Sequence, residues 1–140
     1  MARDAIASFV RSGEVAPADT HLLLRGSPLT VAKFAEHAAR TARAYTYRGH
    51  ACMGISVELA TSPEETTRLL QGRRLSTRRR VARIRVSAAR ALGFVLLPTF
   101  AAPHYTVILD LSPSATVEAL AGLAAQDVIE NPYYQTQKED

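Results

Sequence analysis

The tripeptide His104-Tyr105-Thr106 places a titratable ring beside two hydroxyl groups at the start of an apolar run. A histidine titrates near neutral pH, so it is the side chain most often used as a general acid or base. In a strand, side chains two residues apart share a face, which places His104 and Thr106 together and Tyr105 opposite. The tripeptide therefore predicts a catalytic site with His104 as acid or base, assisted by Tyr105 or Thr106. The alternative is a buried histidine bonded to backbone groups.

A dense block of arginines precedes this tripeptide, and no acidic residue occurs between positions 66 and 109. Arg83 and Arg85 point the same way on a predicted strand. With Arg79 and Arg80 they predict a cationic stripe suited to phosphate groups. No aromatic residue interleaves with the block, so contacts to a nucleic-acid backbone are expected rather than base stacking. A solvated linker is the alternative.

The elements that must position these residues follow from hydrophobic periodicity and from capping signals. Apolar runs or alternation predict strands, and Ser-Pro pairs before amphipathic stretches predict helix starts. The predicted helices cover 2–11, 28–48, 63–71, 86–92 and 114–130; the predicted strands cover 21–24, 54–59, 81–86, 94–97 and 104–111. This order predicts an α+β fold: one mixed sheet of about five strands, helices mainly on one face, and a C-terminal hairpin followed by a helix.

Length, charge and composition limit the protein class. The chain has 140 residues, of which 47% are hydrophobic. That predicts one globular domain at 1–132 with an exposed tail at 133–140. A single cysteine, Cys52, and the lack of a long apolar run predict a cytoplasmic protein without membrane contact. The net charge of +4 favours nucleic acid or an acidic protein as partner. Neither a metal-ligand cluster nor a glycine-rich phosphate loop is present, so no metal or cofactor is expected.

Two family resemblances concern phosphate chemistry. The His-x-Thr spacing of His104 and Thr106 resembles half of the two-histidine phosphoesterase signature. That resemblance implies cleavage of cyclic or 2′,3′ phosphates, with histidines as acid and base and threonines on the phosphate. The second half would fall on 21–24, which has no threonine.

The segment 23–27, Leu-Leu-Arg-Gly-Ser, resembles the first-strand motif of ADP-ribosyltransferases. The resemblance implies that Arg25 holds the pyrophosphate of NAD and that Ser56 supports the nicotinamide ribose. The family also needs a glutamate late in the sheet. Here Glu58 comes early, and Glu118 and Glu130 fall in a predicted helix.

Most of the chain, from 22–26 through 54–57 to 93–107, resembles small uncharacterised proteins common in actinobacterial genomes. The sequence thus predicts a small bacterial protein that engages nucleic acid, RNA above all, as a metal-independent ribonuclease of the toxin–antitoxin type. Arg83 and Arg85 would hold phosphate and His104 would transfer protons. The alternatives are an NAD-using ADP-ribosyltransferase and a non-catalytic module that binds an acidic protein partner.

Overall fold

The computed structural model describes residues 3–135. Over that range the helices are α1 (Val31–Ala44), α2 (Pro63–Gln71), α3 (Val86–Ala91) and α4 (Val117–Gln126), with a 3-10 turn at Ile6–Phe9. The strands are β1 (Asp4–Ala5), β2 (Leu22–Gly26), β3 (Tyr45–Tyr47), β4 (His50–Ala51), β5 (Gly54–Ala60), β6 (Arg80–Arg85), β7 (Val95–Pro98), β8 (His104–Ile108) and β9 (Val128–Glu130). None of these helices is long and apolar enough to cross a bilayer.

The main sheet has six strands in the order β7-β8-β5-β2-β6-β9, and every pairing in it is antiparallel. A separate sheet of three strands, β1-β3-β4, contains the parallel pair β1–β3. The α+β class is confirmed, and the hairpin β7–β8 precedes α4. The prediction of one mixed sheet of about five strands is wrong, because the main sheet is antiparallel and β1, β3 and β4 form a second sheet.

The predicted helix at 2–11 is also wrong, and tertiary packing explains why. Ile6 is buried in a cluster with Cys52 and Ile108. The ring of Phe9 packs 5.4 Å from Tyr45 and 5.1 Å from Phe100, measured between ring centroids. These contacts fix the segment as a short strand and a 3-10 turn, since packing overrides a weak local helix preference.

Two helices begin later than their Ser-Pro signals predict. Thr30 caps α1 by accepting a hydrogen bond from Lys33 N, and Thr116 caps α4 in the same way. Ser27 Oγ instead accepts a bond from Arg80 N, which ties the end of β2 to the start of β6. The signal at Ser62 is confirmed, because its hydroxyl caps α2 with Pro63 in the first turn.

The helices pack on both faces of the main sheet. α1, α3 and α4 cover a core that includes Leu23, Val57 and Val107, while α2 covers a smaller cluster around Leu24 on the opposite face. The loop between α2 and β6 continues over this second face, where Leu75 is buried.

The main sheet opens at its centre. β2 and β5 are paired only as far as Leu24 and Glu58. Beyond that point β2 stays paired with β6 up to Gly26, and β5 stays paired with β8 back to Gly54. The two halves of the sheet therefore separate at this end, and a cleft lies between them.

The C-terminal segment, predicted as an exposed tail at 133–140, is described only to residue 135. Gln135 N donates to Ser76 O at 2.8 Å. The guanidinium of Arg79 lies 5.2 Å from the centroid of the Tyr134 ring. Residues 136–140 lie outside the described part of the chain.

Candidate anion-binding cleft

The cleft between β2 and β5 encloses a cavity of about 370 Å³. That volume suits a small ligand or one nucleotide unit. Arg25 and Ser56 line it from the two separated strands, Glu58 lines it at the point of separation, and His37 lines it from α1. The loop between α2 and β6 adds three arginines, namely Arg73, Arg74 and Arg78.

Arg25 spans the gap between the separated strands. Its Nη1 donates to Ser56 O at 2.8 Å, and its Nη2 contacts His37 Nδ1. The guanidinium carbon lies 5.9 Å from the centroid of the Phe34 ring. Within residues 3–135, Arg25 Nε is buried without a hydrogen-bond partner, and no carboxylate pairs with this side chain.

Burial, with the neighbouring charge of Arg78, lowers the pKa of Arg25 to about 10. At neutral pH Arg25 therefore carries a charge that its surroundings disfavour. Enclosing a cation without a carboxylate costs free energy, and such groups concentrate at functional sites. An anion entering the cleft would remove that cost.

Two of the loop arginines add further positive charge. Arg73 and Arg78 are exposed, and neither forms a salt bridge within the described range. Arg78 Nη1 donates to Ser27 O at 3.1 Å, which holds the side chain at the mouth of the cleft. Planar guanidinium groups converging from several directions are typical of phosphate recognition.

Gly26 determines where Arg78 lies. A Cβ atom built on Gly26 would lie 2.4 Å from Arg78 Cγ and 2.9 Å from Arg78 Cβ. We expect Gly26→Ala to push Arg78 out of the cleft and to weaken binding of an anionic ligand about threefold or more, because one charge-assisted contact is lost.

Gly54→Ala is the matched control for this substitution. It adds the same methyl group to the neighbouring strand, where the Cβ would meet Thr106 Cγ2 at 2.7 Å and no arginine. Both variants should unfold more easily in urea, whereas only Gly26→Ala should lose affinity in a titration with inorganic pyrophosphate. Equal losses of affinity in the two variants would contradict the role given to Gly26.

Glu58 is the acidic group of the cleft. Its side chain is 9% exposed, and Oε1 accepts a bond from Arg74 Nη1 at 3.0 Å. Burial raises the pKa of Glu58, and Arg74 opposes that rise. Oε2 accepts no hydrogen bond within residues 3–135, and it is not completely buried.

His104 lies beside Glu58 in the sheet but is enclosed. The residue is 5% exposed, and its Nδ1 lies 3.2 Å from Thr99 O and 2.9 Å from Thr99 Oγ1. A carbonyl oxygen only accepts, so Nδ1 carries the proton. Thr99 Oγ1 in turn bonds Thr106 Oγ1 at 2.7 Å. Burial, with the charge of Arg74, lowers the pKa of His104 to about 4, so the ring is neutral at pH 7.

Tyr105 points to the opposite face of β8, as the alternation predicts. The residue is 1% exposed, and its hydroxyl donates to Glu14 Oε2 at 3.4 Å. Thr106 is 3% exposed. The three residues of the tripeptide therefore belong to the packed interior, and the contacts of His104 match the alternative of a buried histidine.

The predicted arginine stripe separates into different environments. Arg83 binds Asp127 through two bonds of 3.1 and 2.9 Å, and Arg80 binds Glu130 at 3.2 Å. Arg83 and Arg85 line another cavity, of about 640 Å³, beneath α2. Arg79 lies on the Tyr134 ring. Arg25, Arg83, Arg85 and His104 thus do not share one cavity.

The site residues predicted from the sequence did not include Glu58 or the loop arginines Arg73, Arg74 and Arg78. A signal for Glu58 was present, since Ser56 and Glu58 alternate with the apolar residues of β5 and so share one face of that strand. Nothing in the sequence shows that β2 and β5 separate where these residues lie.

Comparisons with family models, curated proteins and solved structures found no match to this chain. The resemblances drawn from short motifs therefore stay predictions.

Proposed function

We propose that this protein binds single-stranded RNA and holds one phosphate of the strand between Arg25, Arg73 and Arg78. The observation that carries the proposal is the charge of Arg25, which lines the cleft half-buried, with Nε fully buried and no carboxylate partner in the described range. A phosphate is the ligand that compensates such a charge, and the loop arginines supply its remaining donors.

The cationic surface continues beyond the cleft, as a strand of nucleic acid requires. A neighbouring cavity of about 450 Å³ shares Arg78 with the cleft and extends along Arg79 and Arg80 to Tyr134. Successive phosphates along such a surface give sequence-independent, salt-sensitive binding. Arg79 covers one face of the Tyr134 ring, and a base would stack on the other face.

The dimensions and polar groups of the cleft favour an unpaired ribonucleotide. A cavity of about 370 Å³ admits one nucleotide unit but not a duplex. Ser56 and Glu58 place a hydroxyl and a carboxylate beside the arginines. These groups can bond a ribose 2′-hydroxyl, the feature by which proteins distinguish RNA from DNA.

Arg78→Gln, compared with Arg43→Gln, tests the proposal. Both variants lose one positive charge. Arg43 is a suitable control because it is exposed on α1 and does not line the cleft or the two cavities that contain Arg78, Arg83 or Arg85. We expect Arg78→Gln to weaken binding of a fluorescent single-stranded RNA about fivefold, since an exposed charge-assisted contact contributes ~1 kcal/mol. The slope of log affinity against log salt should fall by about 0.7.

Fluorescence anisotropy between about 50 and about 200 mM salt measures both quantities. Arg43→Gln should change the affinity less than twofold and leave the slope unaltered. If the two variants lose affinity equally, the binding is a general charge effect and the cleft is not the site.

A second candidate function is that of an NAD-using ADP-ribosyltransferase. The observation that favours it is the bond between Arg25 Nη1 and Ser56 O, which brings together the two residues that the resemblance singled out. Glu58 lines the same cavity. Incubation with labelled NAD tests this candidate. Transfer of label by the wild type that is abolished in Ser56→Ala would support it. The absence of both NAD binding and label transfer would exclude it.

A further inference from the structure

We propose that the cleft also cleaves the RNA it binds, with Glu58 as the general base that removes the proton of a ribose 2′-hydroxyl. This inference rests on the proposed function, because it requires a ribonucleotide whose phosphate lies between Arg25 and the loop arginines. It assigns the proton transfer to Glu58 rather than to His104.

The geometry places Glu58 at the point where the strands separate. The carboxylate lines the cavity together with Arg25 and Ser56, and it also lines an adjoining cavity of about 260 Å³ bounded by Arg73 and Arg74. Arg74 fixes Oε1, whereas Oε2 has no hydrogen-bond partner within residues 3–135 and is not completely buried. A carboxylate with one oxygen positioned and the other accessible is suited to accept a proton from a bound ligand.

The groups packed around Glu58 make its carboxylate more basic. Arg74 faces it from the loop, Arg11 contributes a more distant positive charge, and His104 is its neutral neighbour on β8. Leu24 is its partner on β2. Burial outweighs the cations and raises the pKa, so the carboxylate accepts a proton more readily than an exposed glutamate.

The reaction needs no metal and no further reactant. Glu58 takes the proton of the 2′-hydroxyl, and the 2′-oxygen attacks the adjacent phosphorus. The bond between phosphorus and the 5′-oxygen breaks while arginines stabilise the added negative charge on the phosphate oxygens. The leaving 5′-oxygen takes a proton from water, and the resulting hydroxide takes the proton held by Glu58. The products are a 2′,3′-cyclic phosphate and a free 5′-hydroxyl.

The two histidines near the cleft have other roles. His104 is enclosed and its Nδ1–H is directed to Thr99. His37 Nδ1 faces the guanidinium of Arg25, so the ring accepts a bond there and holds that cation in place. Burial and the charge of Arg25 lower the pKa of His37, which keeps the ring neutral.

The test uses the full chain, a single-stranded oligoribonucleotide labelled at both ends, and excess EDTA. We expect the wild type to produce fragments ending in 2′,3′-cyclic phosphate. Glu58→Gln should lose about 100-fold or more of the rate, the usual contribution of a general base. Glu118→Gln removes an exposed acid on α4 and should cleave as the wild type does.

A 2′-deoxy substrate provides a second test that involves no altered protein. The wild type should bind the oligonucleotide in which every 2′-hydroxyl is replaced by hydrogen but should not cleave it. Cleavage of that substrate, or equal rates for the wild type and Glu58→Gln, would overturn the inference. RNA binding without any cleavage would overturn it and leave the proposed function standing, whereas absence of RNA binding would remove both.

Discussion

Replacing Arg25 by methionine is expected to make the protein more stable, by ~1 kcal/mol, while weakening RNA binding at least tenfold. The two effects have opposite signs because Arg25 is unfavourable in the unliganded fold and favourable in the complex. Removing a residue that serves only the fold would make the protein less stable.

The structural basis is the environment of the guanidinium. Burial and Arg78 lower the pKa of Arg25 to about 10, and Nε is buried without a partner within residues 3–135. Methionine keeps an apolar stem but removes the charge and, with it, the contact of the guanidinium with the Phe34 ring. The bond to Ser56 O is lost, which limits the gain in stability. In the complex, the same substitution removes one of the guanidinium donors that line the cleft.

Urea unfolding and RNA anisotropy, carried out on the same samples, measure the two effects. Arg43→Met is the control for loss of charge at an exposed position and should change both quantities little. Loss of stability in Arg25→Met together with unchanged affinity would show that Arg25 is a structural cation, and the cleft would lose its main support.

The second large effect concerns stability at acid pH. We expect the free energy of unfolding to fall by about 3 kcal/mol between about pH 7 and about pH 4 through His104 alone. The ring is 5% exposed, and burial lowers its pKa to about 4 in the folded state. An unfolded histidine titrates near 6.5.

The sign follows from these two values. Between about pH 6.5 and about pH 4, His104 binds a proton in the unfolded chain but not in the folded protein, so a falling pH favours unfolding. The stabilisation is therefore complete above about pH 6.5 and is lost as the pH falls through the folded pKa.

His104→Asn isolates this contribution. The asparagine amide can donate to Thr99 O in place of Nδ1–H, and it does not titrate. Urea unfolding should show that the free energy of unfolding falls, between about pH 7 and about pH 4, by about 3 kcal/mol more in the wild type than in the variant. Parallel curves for the two proteins would mean that His104 titrates normally and is open to solvent.

Local features of the fold were predictable from the sequence. The alternation of β5, the cap at Ser62 and the hairpin β7–β8 depend on neighbouring residues and are confirmed. Residues 4–9, predicted as part of a helix, were mispredicted because Ile6 and Phe9 pack against Tyr45, Phe100 and Ile108, which are distant in sequence. Such contacts leave no periodic pattern in the segment that they reshape.

The candidate site was harder to predict because it depends on where two strands separate. Arg25 and Ser56 were each singled out by a motif, but their contact arises only because β2 and β5 stop pairing after Leu24 and Glu58. His104 drew attention through its residue type, whereas burial determines its chemistry. The density of positive charge identified the arginine block in the sequence. The pairing of Arg83 with Asp127 could not be predicted, because it depends on where the fold places the segment between α4 and β9.

The most direct measurement of the central claim is an NMR titration of the ¹⁵N-labelled protein with a short single-stranded RNA. We predict that the Nε–H signal of Arg25 and the backbone amides of Gly26, Ser56 and Arg78 shift together, with the same affinity. The signals of the backbone amides around Arg83 and Arg85, which line the other cavity, should not shift. Shifts centred on Arg83 and Arg85, with Arg25 and Gly26 unaffected, would contradict the assignment of the cleft as the RNA site.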